Sequence, residues 1–153
     1  MAGAQHYTDL IVWQLADQMR VEVFTLTRRP RYARDLKLRS QTDDAMDSVC
    51  RNIAEGFGCR SHLEFARFLE FSRRSLNEVF DCLRSAQLKE YVTQAEVEPI
   101  HKLGARFYPA VSRLMAYLRR TPNSRTDQRG ADRTDKREES RTDRREKGRT
   151  DER

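Results

Sequence analysis

The sequence predicts an all-α protein: an antiparallel up-down-up-down four-helix bundle over residues 8–120, followed by a disordered charged tail over 121–153. Three observations carry this. Four segments of the body place apolar residues at alternating steps of four and three, the spacing of one helix face. The connections between them are short, which makes consecutive helices antiparallel neighbours. From Thr121 onward the only aliphatic residue is Ala131, so nothing there can fill a core. No segment shows the β-branched, period-two alternation of a strand.

The first segment steps through Val12, Ala16, Met19, Val23 and Leu26, with Trp13 and Phe24 widening the face. "RRPRYARD" at 28–35 interrupts it, because Pro30 disfavours helix continuation. The second stripe runs Leu38, Thr42, Ala45, Val49, Ile53. It is the weakest, since Thr42 is polar and Asp43, Asp44 and Asp47 crowd its outer side. The third is the strongest: Phe65, Leu69, Ser72, Leu76, Val79, Leu83 and Ala86 alternate without a slip, after a capping box formed by Ser61 and Glu64. The fourth opens on a second box, Thr93 and Glu96, and continues through Ile100, Leu103, Phe107, Val111, Leu114 and Leu118. Pro99 and Pro109 within it predict an irregular or delayed start and a kink.

The tail holds eleven basic and nine acidic residues, so it supplies +2 of the formal +6 and leaves +4 to the body. "RTD" recurs at 125, 133, 141 and 149, an octad without apolar positions that builds no helical seam. Such a composition cannot offset the entropy of ordering, and the tail reads as a polar low-complexity extension or a weak arm for polyanions. No apolar run approaches the roughly 18 residues that span a bilayer. The N-terminus lacks a signal peptide's apolar stretch, so no membrane association is expected and a cytoplasmic location with reduced thiols is the simplest account of Cys50, Cys59 and Cys82. No cofactor is expected either. Cys59 and His62 lack the second ligand pair of a structural zinc site, and nothing marks a nucleophilic thiolate.

"NIAEGFG" at 52–58 lies at the junction of the second and third segments. Gly56 is expected in the left-handed conformation that closes a helix, with Gly58 freeing the turn and Phe57 folded back as an apolar plug. Asn52 and Glu55, three apart, share a face and are expected to tie the bundle together. The glycines make no nucleotide loop, since no strand precedes and no GK[ST] follows. A lone Glu without a partner is a poor acid–base group, so no catalytic residue is assigned.

With "DLIVWQLA" at 9–16, Gln41, Ser48, "NIAEGFG" and "EFARFLEFSRRSL" at 64–76, the chain resembles the four-helix bundle family of 23S rRNA-intervening-sequence proteins over roughly residues 8–120. The resemblance implies a bacterial protein forming a homopentameric barrel of bundles, with no known enzyme activity. A related bundle, the accessory protein of diversity-generating retroelements, engages a reverse transcriptase and nucleic acid. Two departures stand out. Thr42, Asp43 and Asp44 replace an apolar residue followed by basic ones, reversing the charge of a helix face. Arg73, Arg74 and Ser75 stand where the family usually has Arg-Gly-Ser, which puts a long side chain where close helix approach is expected.

The basic residues cluster towards the bundle ends. Arg28, Arg29, Arg31, Arg34, Lys37 and Arg39 face only Asp35 along the first connection; Arg51, Arg60, Arg119 and Arg120 fall towards the opposite end. Clustered guanidinium groups suit phosphate, and Tyr32 or Phe57 could stack a base. Solvated loop arginines are the bland alternative. Trp13, Phe24, Phe68, Phe71 and Phe80 exceed what a small bundle is expected to bury, which points to self-association. Two function classes stay open: a non-enzymatic nucleic-acid accessory protein binding RNA or DNA, and a structural module for self-assembly and a protein partner.

Overall fold

The computed structural model describes residues 3–123. A single 3-10 turn, Tyr7–Asp9, leads into α1 (Ile11–Thr27), the short α2 (Pro30–Arg34), α3 (Leu36–Gly58), α4 (His62–Leu88) and α5 (Gln94–Arg120). The four long helices form a ring of antiparallel neighbours. α1 packs on α3 and α5, α4 packs on α3 and α5, and α3 with α4 makes the most extensive pairing. The expected disorder of the tail and its octad repeat lies outside the described residues, apart from Thr121–Asn123, which dock on His62 at the start of α4.

The stripes are the core. Every third-stripe residue from Phe65 to Ala86 is buried, and the polar one, Ser72, donates its hydroxyl to the Val49 carbonyl of α3 at 2.8 Å. At Ser61 the predicted cap forms, its Oγ accepting from the Glu64 N–H at 3.1 Å. At Thr93 both halves of the capping box form, and α5 starts at Gln94 without delay, continuing through Pro99 and Pro109 as one helix. The cap fixes the first turn, so the backbone bond missing at Pro99 does not move the start. Along α5 the buried face shifts slightly: Val97, Gly104 and Met115 are buried, while Leu103 and Leu114 are half-buried.

The first connection is not a plain loop. Pro30 occupies the first turn of α2, where its missing N–H costs nothing. Tyr32 then points inward, fully buried. Thr42 donates to the Leu38 carbonyl at 2.7 Å, which leaves the Tyr32 hydroxyl as donor to Thr42 Oγ1, also at 2.7 Å. The polar residue that weakened the second stripe is thus the buried partner of a tyrosine, and burial pushes the Tyr32 phenol up to about 12. Tyr32 is therefore no base-stacking platform. Asp43 likewise does not crowd the outside: it is half-buried and accepts from Thr27 Oγ1 at 2.7 Å, pinning the end of α1 to α3.

The glycine expectations are corrected too. No described glycine has a positive φ, and α3 runs on through Gly58. Gly56 is buried where an added Cβ would come within 2.5 Å of the Phe65 ring and 2.8 Å of Phe68 Cβ. Its role is close approach of α4 to α3, not a left-handed turn. Space around Gly58 is open. Phe57 does pack on the core, edge-on to Phe65 with ring centres 6.3 Å apart. A second close approach lies between α4 and α5, where a Cβ on Gly104 would stand 2.5 Å from the Phe80 ring. Of the five aromatics expected in surplus, Trp13, Phe24, Phe68 and Phe80 are half-buried and only Phe71 is exposed, at 41%.

Candidate nucleic-acid interface

At the end holding α2 and the α4–α5 turn, folding supplies partners that chain order conceals. Arg28 lies 3.5 Å from Asp43 and 4.7 Å over the Phe24 ring. Arg29 is ion-paired with Glu96, whose carboxyl is held below its ordinary range chiefly by that hydrogen bond. Arg31 donates to the Glu90 carbonyl at 3.0 Å, and Arg39 lies 3.8 Å from Asp43. Asp35, the one acid expected to face this cluster, caps α3 through the Leu38 N–H and pairs with Lys89 at 2.6 Å. Its pKa is lowered, chiefly by Lys89. Arg34 and Lys37 keep exposed cations with no acidic partner among the described residues.

The opposite end is built differently. His62, at the start of α4, engages the Thr121 carbonyl through Nδ1, and its backbone N–H donates to Asn123 Oδ1 at 3.0 Å. These contacts hold the end of α5 beside the α3–α4 junction, so Arg60, Arg119 and Arg120 lie at one end of the bundle. All three are exposed, as is Arg51 two turns back on α3, and none has an acidic partner among the described residues. Asp9 is occupied by the backbone N–H groups of Gln5 and His6, leaving Glu55 and Glu64 as the exposed acids near this end.

The motif pair is split. Asn52 donates to the Ser48 carbonyl at 2.8 Å and to Ser48 Oγ at 3.0 Å, and Ser75 of α4 donates to the same oxygen at 3.0 Å. Asn52 thus ties α3 to α4 through Ser48. The Glu55 side chain faces solvent without a described partner, so the bundle-tying role expected for it falls away. Among the described residues no three potential ligands gather for a metal ion. Burial pushes the Cys50 thiol up to about 12 and raises Cys59 and Cys82 as well, opposite to the shift of a nucleophilic cysteine.

One surface escaped the sequence reading. Lys102, Arg106, Arg113 and Arg120 lie within about 40° of one another around α5 and extend roughly 27 Å along it. All four are exposed and without an acidic partner among the described residues. No acid occurs anywhere between Pro99 and Arg120. The signal was the spacing of cations on a helix face; counting cations by connection passed over it. Arg113 also rims an apolar groove between α1 and α5, lined by Leu10, Val12, Ala110 and Leu114 and edged by Ile11, which is 65% exposed.

This helical ring, with its "NIAEGFG" junction, agrees with a family model: residues 8–107 match that of the 23S rRNA-intervening sequence proteins. The chain belongs to this family. Comparison with curated proteins gives no match. The match to the 23S rRNA-intervening sequence proteins takes in both close-approach glycines and Lys102 and Arg106 of the α5 stripe. Arg113, Arg119 and Arg120 lie beyond it. Of the two departures, Asp43 has a structural reason in its contacts with Thr27 and Arg28. At the other, Arg74 is exposed, Arg73 lies 3.5 Å from Glu70, and helix approach is met at Gly56 instead. No described helix is long and apolar enough to cross a membrane.

Proposed function

We propose that this protein is a non-enzymatic accessory protein whose bundle binds the phosphate backbone of RNA or DNA without reading sequence. The observation that carries the reading is the unpaired cationic stripe of α5, with Arg119 and Arg60 at the same end of the bundle as Arg120; Arg51 on α3 adds a free cation on another face. Arg34 and Lys37 add two free cations at the other end; Arg28, Arg29, Arg31 and Arg39 are secondary, being engaged within the fold. Guanidinium groups spaced along a rigid helix meet successive phosphates and release their counterions, and no base edge need be touched. Self-association belongs to the same reading, with five subunits suggested by the family resemblance. Ile11, Val21, Leu36, Phe71, Leu88 and Tyr117 are large apolar side chains left exposed by a single chain. Assembly would multiply the body charge of +4 into a strongly positive surface.

Titration of single-stranded RNA and DNA with the full chain at increasing salt tests this. A steep log–log decline in affinity is expected for both, and light scattering coupled to size exclusion should show an oligomer. Affinity indifferent to salt would instead favour the second reading, a protein-interaction module. The apolar α1–α5 groove supports that reading, with a partner such as a reverse transcriptase or another protein seated there.

A further inference from the structure

The 3-10 turn, α1 and α3 line an open pocket of about 260 Å³ on the far side of α1 from the basic stripe. Two aromatics form one wall: Tyr7 and Trp13 meet edge to face with ring centres 5.4 Å apart. Asp47 and Arg51 stand on the α3 side, one turn apart, and Cys50 closes the floor. The volume falls just short of the roughly 300–1,000 Å³ typical of sites for drug-sized molecules, so it suits a single ring system. The wall is fixed in advance. His6 and Asp9 form a capping box around the turn, Gln14 Nε2 donates to the Thr8 carbonyl at 2.9 Å, and the His6 ring lies 4.2 Å from Tyr7.

The polar groups divide by chemistry. Arg51 is exposed and has no acidic partner among the described residues, so it is free for a phosphate. Arg20 is committed to Asp17. Asp47, its side chain 48% exposed, lies 3.7 Å from Arg20 and keeps acceptor capacity towards the pocket. An aromatic wall, a two-oxygen acceptor and a free guanidinium are what an unstacked base with its phosphate requires.

We infer that this pocket takes one unpaired nucleobase of a single strand, stacked on Trp13 beside Tyr7, with its phosphate on Arg51 and its Watson–Crick edge on Asp47. Guanine is favoured. It presents an imino and an amino N–H side by side to one carboxylate, whereas adenine and cytosine offer only an amino group and uracil one imino N–H. The inference rests on the phosphate-binding reading and adds to it a base contact that the stripe does not make.

The test uses the full chain, in which Trp13 is the only tryptophan and reports directly on stacking. Guanosine monophosphate should quench its fluorescence saturably, and ribose 5-phosphate should not. A strand carrying one guanine should bind roughly five- to a hundredfold more tightly than an equal strand with an abasic site there, the range that stacking a base supplies. Asp47→Asn, a change at a half-exposed side chain, should remove the preference for guanine over uracil, and Trp13→Phe should retain the gain over the abasic strand. Equal affinity for the guanine and abasic strands, with a steep salt slope intact, would overturn the pocket and leave the phosphate reading standing. Absence of binding to either strand would overturn both.

Discussion

Leu69→Ala and Leu76→Ala are each expected to destabilise the bundle by about 2–5 kcal/mol, read from urea unfolding midpoints at unchanged slope. Both side chains are fully buried on α4, the helix that packs against α3 and α5 together. Truncation there removes apolar area and leaves a cavity that helices already in contact at Gly56 and Gly104 are poorly placed to collapse into. Those glycines hold the backbones close, so little slack remains. A loss below about half a kcal/mol at both positions would contradict the packing register described for α4.

The second large effect is expected at Tyr32. Tyr32→Ala should cost about 3–5 kcal/mol, since it empties a fully buried aromatic site beneath the α1–α3 connection. Tyr32→Phe should cost only about 1 kcal/mol, because it removes the hydrogen bond to Thr42 and keeps the packing. The pair of variants separates hydroxyl from ring. A stable Tyr32→Ala protein with weakened RNA binding would return Tyr32 to the stacking role that its position among arginines first suggested.

The helices were legible wherever one rule acted along one segment. The α4 stripe alternates cleanly, and each of its predicted positions is buried. Thr93 and Glu96 announced their cap, and it outweighed the local warning of Pro99. What stayed hidden depends on groups distant in sequence. Gly56 satisfies a turn rule and a close-approach rule equally well on paper; only the position of Phe65 and Phe68 decides between them. Thr42 and Asp43 read as flaws in a stripe because their partners, Tyr32 and Thr27, belong to other helices. The candidate site divides in the same way. Arg29 reads as a free cation until folding brings it to Glu96, 67 residues on. By contrast the α5 stripe needed no partner at all to be seen, only the cations of one helix projected onto its wheel.

The central claim, that α5 carries the polyanion contacts, is tested most directly by one salt titration. Full-length protein and its Arg106→Ala, Arg113→Ala, Arg120→Ala triple variant are titrated with the same single-stranded RNA across a range of salt, with circular dichroism confirming equal helicity. These arginines make no described contact with an acidic group, so the fold should be unaffected. The variant is expected to bind more weakly at low salt, and the steepness of its log–log salt dependence should fall by roughly two, about 0.7 for each phosphate of the single strand that no longer meets a guanidinium. An unchanged slope in a folded triple variant would contradict the account and remove α5 from the interface.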